Sequence, residues 1–260
     1  MSALHIPTLA PETIGHIGSM HITNTLVNAW LAIAILLTFG ILVTKTVRVR
    51  PGKYQNIFEY FFEILCGYFD QVTGSREKTR QFLLIVGSVF LFILLSNWLG
   101  LLPGTGSIFV GDEPLLRPAN TDLNLTVAMA LVAVFSTHVF AFLSIGVFTH
   151  LNKFIQIGTI VKSIKHGPIA IFTACVEFVI GIIEIIGEAA KVMSLSLRLF
   201  GNIFAGEVLI SVISSLIAAL VPLPFMLLEL LVGLIQASVF TMLTIVYLTV
   251  ASSEPHGADH

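Results

Sequence analysis

From Ile169 to Leu220 the chain runs for about 50 residues without a proline, most of them apolar. As one helix this stretch would extend ~75 Å, over twice the ~30 Å of a bilayer's hydrocarbon core. Either it breaks near one of its glycines (Gly181, Gly187, Gly201, Gly206) or it lies steeply tilted. A tilt that far beyond the usual ~20° requires a large protein partner along one flank.

The remaining sequence fits the same solvent. Only 11% of the residues are charged and mean hydropathy is +0.96. A soluble domain carries about 25% charge and needs it to face water on all sides. Apolar runs over 24–44, 82–102, 123–148, 169–220 and 225–250 each suffice to cross or embed in a bilayer. Residues 54–70 differ: Ile57, Phe58, Phe61, Phe62, Leu65 and Phe69 recur at helical spacing, with Glu59 and Glu63 on another face. That pattern predicts an amphipathic interfacial helix. The predicted fold class is all-α integral membrane, in one domain over 1–260. It has about five membrane-embedded helices, the interfacial helix, and a long, steeply tilted C-terminal helical hairpin.

Lys and Arg set the orientation. Ten of the 13 fall in the 45–53, 76–80 and 153–165 regions, Arg117 stands alone in an opposite loop, and Lys191 and Arg198 lie within apolar sequence. Basic loops stay in the cytoplasm. Five crossings then put the tail 1–23, which has no Lys or Arg, outside and the tail 251–260 inside. Cys66 and Cys175 both sit in apolar segments and read as buried thiols without a disulfide. No zinc or redox spacing, nucleotide loop or hydrolase motif is present, and His256 and His260 are discounted as metal ligands. Neither a metal, a cofactor nor a nucleic-acid partner is expected.

The chemistry concentrates on the long stretch. Glu177, Glu184, Glu188, Lys191 and Arg198 follow one another at spacings of 7, 4, 3 and 7, within roughly 80° of one helical face, and Asn202 joins one turn beyond Arg198. An ionisable side chain at mid-bilayer costs at least ~2.5–3.5 kcal/mol, so such groups face water, a partner or each other. Glu188 and Lys191 also fit a simple i, i+3 ion pair, and Glu177 fits a snorkelling carboxylate. Arg198 has only apolar neighbours and stays protonated; it blocks cations and attracts a carboxylate. Glu207 lies about 180° from Arg198 around the helix. A hairpin at Pro222 and Pro224 brings Glu229 and Gln236, seven apart on one face, against it. Glu207 and Glu229 would then line one polar cavity, with Gln236 nearer Arg198. Two desolvated carboxylates there would relay protons or, on the structural alternative, share one. Asn124 and Thr126 read as interhelical hydrogen-bonding groups and His138 as a packing residue.

The stretch SLSLRLFGNIFAGE (Ser194 to Glu207) closely resembles the signature of subunit a of F-type ATP synthases. IQASVFTMLTIVYL (Ile235 to Leu248), NTDLNLTVAMAL (Asn120 to Leu131), LSNWLGLLPG (Leu95 to Gly104) and PGKYQNIFE (Pro51 to Glu59) resemble the family's other landmarks, so the likeness runs through the chain from about Asn24. The resemblance implies a non-catalytic, proton-translocating stator in a bacterial cytoplasmic membrane. Its partners would be a ring of c subunits, the b-subunit peripheral stalk and the bilayer. Two half-channels would load and unload the ring's carboxylates, with Arg198 between them preventing a proton short circuit. Asn202, Glu207 and Gln236 match the family's pathway positions. Glu229 stands where the family varies, and the order in which Glu207 and Glu229 take the proton stays open. Glu184, Glu188 and Lys191 fall where the family has polar residues near the cytoplasmic exit. The competing reading is an independent secondary transporter or channel, in which Arg198 binds an anionic substrate; no inverted repeat supports it.

Overall fold

The computed structural model describes residues 8–48, 52–102, 109–110, 113–154, 168–216 and 221–252. Lys162, Lys165, His256, His260 and the side chain of Glu177 lie outside the described residues. Seven helices stand in the described chain: α1 (Asn24–Thr46), α2 (Lys53–Thr73), α3 (Arg76–Gly100), α4 (Leu123–Ile145), α5 (Val147–Phe154), α6 (Pro168–Leu216) and α7 (Pro222–Ala251). Four of them, α1, α3, α4 and α7, are long and apolar enough to cross a membrane. The chain is an all-α, multi-pass membrane protein.

Local sequence sets the helix ends. The Thr23 hydroxyl accepts from the Leu26 amide (3.3 Å) and the Asp122 carboxylate from the Asn124 amide (2.9 Å), satisfying open donors at the starts of α1 and α4. Gly74, at φ +67°, turns α2 back into α3. Gly146, at φ +85°, breaks α4 and lets α5 fold back against it. Pro222 opens α7, where its missing N–H costs nothing.

The 49-residue α6 is one unbroken helix, so none of its glycines interrupts it. With i, i+4 spacing it turns Leu195, Leu199 and Ile203 into the core. There they meet Phe90 and Ile93 of α3, Ala130 and Ala133 of α4, and Phe240 and Ile245 of α7. Its other side is open, with Ile183, Ile186 and Met193 exposed. Lipid tails are as apolar as leucine, so packing and interhelical hydrogen bonds hold such a bundle. Trp98 Nε1 donates to the Leu230 carbonyl (3.1 Å), and Asn120 Nδ2 to Asn97 Oδ1 (2.6 Å) and Ser96 Oγ (3.0 Å), tying α3 to α7 and to the 3-10 turn Ala119–Thr121. Within α7, Ser238, Thr241, Thr244 and Thr249 donate to carbonyls four residues back, so no hydroxyl among them faces hydrocarbon unpaired.

Ahead of α1, Thr13–Ile17 (β1) and Met20–Thr23 (β2) form an antiparallel hairpin, where the sequence reading had only a tail. Asn24 joins it to α1 by donating its amide to the Glu12 carbonyl (3.1 Å) and its Nδ2 to Glu12 Oε2 (3.0 Å). A second small antiparallel pair, Phe109–Val110 (β3) with Glu113–Pro114 (β4), precedes the 3-10 turn. Both cysteines are free, but only Cys66 is buried; Cys175 is exposed on α6, correcting the reading of two buried thiols.

Candidate functional site

Arg198 lies on the open side of α6. Its guanidinium is exposed, and among the described residues its one side-chain hydrogen bond is a long contact from Nη2 to Ser194 Oγ (3.4 Å), one turn back on the same helix. Among the described residues no carboxylate lies within ion-pair reach of it. Gly201, three residues on, has nothing within 4 Å of where a β-carbon would stand, so the surface beside Arg198 is shallow and uncovered.

One turn beyond Arg198 the face meets α7. Asn202 Nδ2 donates to Gln236 Oε1 (2.7 Å). Asn202 is exposed, whereas Gln236 is 4% exposed and its Nε2 has no acceptor among the described residues. The Pro222 turn thus delivers Gln236 to the neighbourhood of Arg198.

Farther along stand two carboxylates, Glu229 and Glu207. Glu229 is 8% exposed, with Oε1 buried and without a hydrogen-bond partner among the described residues. Its carboxyl fills the space where Gly206 lacks a side chain, and a β-carbon there would fall inside it. Glu207 turns instead to Arg117: Nε donates to Oε1 (2.8 Å) and Oε2 (3.1 Å), and Nη2 to Oε2 (3.0 Å). Glu207 of α6 and Glu229 of α7 come to one place in the bundle, the first as the chain neighbour of Gly206 and the second across from it. The two flank one glycine, but the charge of Glu207 is met by a cation.

Arg117 stands alone in its loop by sequence, and its place beside Glu207 comes only with the fold. It is 3% exposed. Its Nη2 also donates to the Thr8 carbonyl (2.8 Å), and its own carbonyl accepts from Asn28 Nδ2 of α1 (2.8 Å). The Phe204 ring lies 5.9 Å from its guanidinium carbon. A buried guanidinium needs an anion and several acceptors, and it has both here. The only signal available was a single Arg in an otherwise acidic loop, three residues before the NTDLN motif.

Toward the other end of α6, Glu188 and Lys191 form the i, i+3 pair, with Nζ 2.6 Å from Oε1. Lys191 also sits 5.0 Å from the centre of the Tyr247 ring of α7, a cation–π contact. Glu184 is half-buried one turn earlier. Glu188 faces α4 as well, where His138 Nε2 is 3.7 Å from Oε2. His138 is therefore not a solitary packing residue.

The polar side chains thus form two groups on α6, one toward each end of the bundle, with Arg198 between them on the open face. A family model described as ATP synthase A chain matches residues 26–249. The protein named ATP synthase subunit a of Moorella thermoacetica is 32% identical over 238 residues, spanning 92% of this chain and 94% of its own length. Its namesake of Geotalea daltonii is 36% identical over 231 residues, 87% of this chain and 86% of its own. A match over this much of the chain, by the family model and by these relatives alike, shows that the chain belongs to the ATP synthase A chain family.

Proposed function

We propose that the chain is the proton-translocating stator subunit of a rotary ATP synthase, set against a ring of c subunits and braced by the b-subunit stalk. The observation that carries this reading is Arg198, a permanent cation on an uncovered helix face with no carboxylate among the described residues within ion-pair reach. In hydrocarbon such a charge needs a counter-ion. A ring carboxylate passing along the open side of α6 supplies one. A helix of 49 residues fits in a bilayer only if strongly tilted, and a ring gives it a flank to lie against. The membrane is the bacterial inner membrane, with the N-terminus outside and the C-terminus in the cytoplasm, following the basic loops.

Two half-channels follow from the two groups. On the outer side the path runs from Arg117 and Glu207 past Glu229 to Asn202 and Gln236. From Glu229 to Gln236 is ~10 Å along α7, and from Glu207 back to Asn202 is ~7.5 Å along α6. The two helices run opposite ways, so both steps lead toward Arg198. Glu207 is held by Arg117, whereas Glu229 has no ion pair among the described residues. Glu229 is thus the carboxyl that exchanges the proton, and Glu207 positions the entrance. The proton neutralises a ring carboxylate, which then turns into lipid at little cost. On the inner side the carboxyl ionises into a path through Lys191, Glu188 and Glu184. Arg198 then meets the carboxylate and stops protons passing directly between the paths. A potential of 100 mV supplies ~2.3 kcal/mol per charge.

The reading is tested by disulfide mapping in the assembled complex, with Cys66 and Cys175 replaced. A cysteine at Leu197, 51% exposed beside Arg198, should cross-link to a cysteine on a ring helix. One at Leu199, fully buried, should not. Cross-linking of neither position to the ring, in complexes that contain it, would remove the ring from this face.

A further inference from the structure

Gly146 folds α5 back so that His150, twelve residues after His138, reaches it. His138 Nδ1 and His150 Nε2 are 3.1 Å apart, a direct ring-to-ring hydrogen bond. The other ring nitrogen of His138 faces Glu188 Oε2 at 3.7 Å, and that oxygen is buried with no hydrogen-bond partner among the described residues. Glu188 Oε1 accepts from Lys191 Nζ at 2.6 Å. His150 is 3% exposed, with the edge of its ring against Phe142 at 5.1 Å between centres. Four side chains from three helices thus stand in line: Lys191, Glu188, His138, His150. Glu184 on α6 and Tyr247 on α7 are titratable groups near this line among the described residues.

We propose that His138 and His150 form an imidazole relay that carries protons between Glu188 and the cytoplasmic end of the bundle. It rests on the stator reading given above and adds two residues to the inner path. An imidazole accepts a proton on one nitrogen and releases one from the other, so it passes charge without moving as a whole. In the synthesis direction, a proton leaving the ring carboxyl protonates the Glu188 carboxylate. Glu188 gives it to His138 Nε2, and His138 gives its Nδ1 proton to His150 Nε2. His150, whose Nδ1 is buried, then passes on a proton from that atom toward the cytoplasmic end of the bundle. One proton enters and one leaves; each ring ends as its other tautomer and resets by rotation or exchange. The 3.7 Å gap closes with a shift of about half an ångström to hydrogen-bond length. Lys191 holds the far oxygen of Glu188, so Oε2 stays turned to His138.

The test is proton conduction through the assembled complex in inverted vesicles, for His138→Gln, His150→Gln and the double variant. Glutamine keeps hydrogen bonding but cannot relay. Members of one relay act in series, so each single variant should lower conduction about tenfold or more and the double should cost no more than either. Imidazole added to assembled His138→Ala should restore much of the loss, which a packing role would not allow. Wild-type conduction in assembled single variants, or additive losses without imidazole rescue, would overturn the relay. Should His150→Gln not assemble, the His138 variants carry the test, since that side chain is 25% exposed. Arg198→Ala run alongside separates the failures. Lost coupling there with wild-type conduction in the glutamine variants removes the relay alone; retained coupling removes the stator reading beneath it.

Discussion

The carboxyl group of Glu229 occupies the space that a side chain on Gly206 would need. The two residues are 23 apart in sequence and meet because the Pro222 turn lays α7 back on α6. Glycine at 206 is therefore a packing requirement set by the facing carboxyl, not by backbone conformation.

Gly206→Ala should push Glu229 from its place. Overpacking of this kind costs about 1–3 kcal/mol. We expect the assembled variant to lose most ATP-driven vesicle acidification. Shortening the opposing side chain with Glu229→Asp in the Gly206→Ala background should recover part of it. Acidification at the normal rate in Gly206→Ala alone would show that Glu229 has room to spare.

Arg117 and Glu207 should behave as a unit. Removing one partner of a buried ion pair costs about 3–5 kcal/mol, because the other charge is left uncompensated. Glu207→Gln should therefore lower the Tm of the detergent-purified complex markedly, because it leaves Arg117, 3% exposed, uncompensated, and Arg117→Met should do so less, because the carboxylate it leaves is 17% exposed. The double variant should recover much of the loss. Additive losses would show that Arg117 acts mainly through the Thr8 and Ala10 carbonyls it also contacts.

At the turn between α2 and α3 the balance is weaker and depends on pH. The Thr79 hydroxyl and the Arg76 guanidinium, with Nη1 2.7 Å from Oδ2, hold the Asp70 carboxyl below its ordinary 3.8. A depressed carboxyl stabilises the folded state fully above its unfolded value, and that contribution fades as pH falls through the lower folded one. Asp70→Asn should lower Tm slightly at pH 7, the pair being well exposed, and the gap to wild type should close on acidification below 3.8. A gap unchanged down to pH 2 would exclude the ionised pair as its source.

Much of this was legible in the sequence because the bilayer is a simple solvent. Hydropathy and length mark α1, α3, α4 and α7. The proline-free run becomes one helix, with Arg198 on its open side. The approach of Gln236 to Asn202 followed from helical spacing and a proline turn. What escaped depends on segments without periodicity. Arg117 is buried because Thr8, Ala10 and Asn28 converge on it from another part of the chain, and no local pattern records that. Glu207 then pairs with Arg117. His138 and His150 lie on two helices whose angle is set by one glycine at positive φ. The N-terminal hairpin had its signal in Gly18 and Ser19, between two short runs of strand-forming residues.

The most direct measurement is proton pumping and ATP synthesis in vesicles carrying Arg198→Ala, with assembly verified. On the proposed stator mechanism, Arg198 meets each ring carboxylate in turn and coupling depends on it. The expected result is loss of both activities in a complex that still assembles. ATP synthesis at a near-normal rate would contradict the stator mechanism and leave the chain a scaffold.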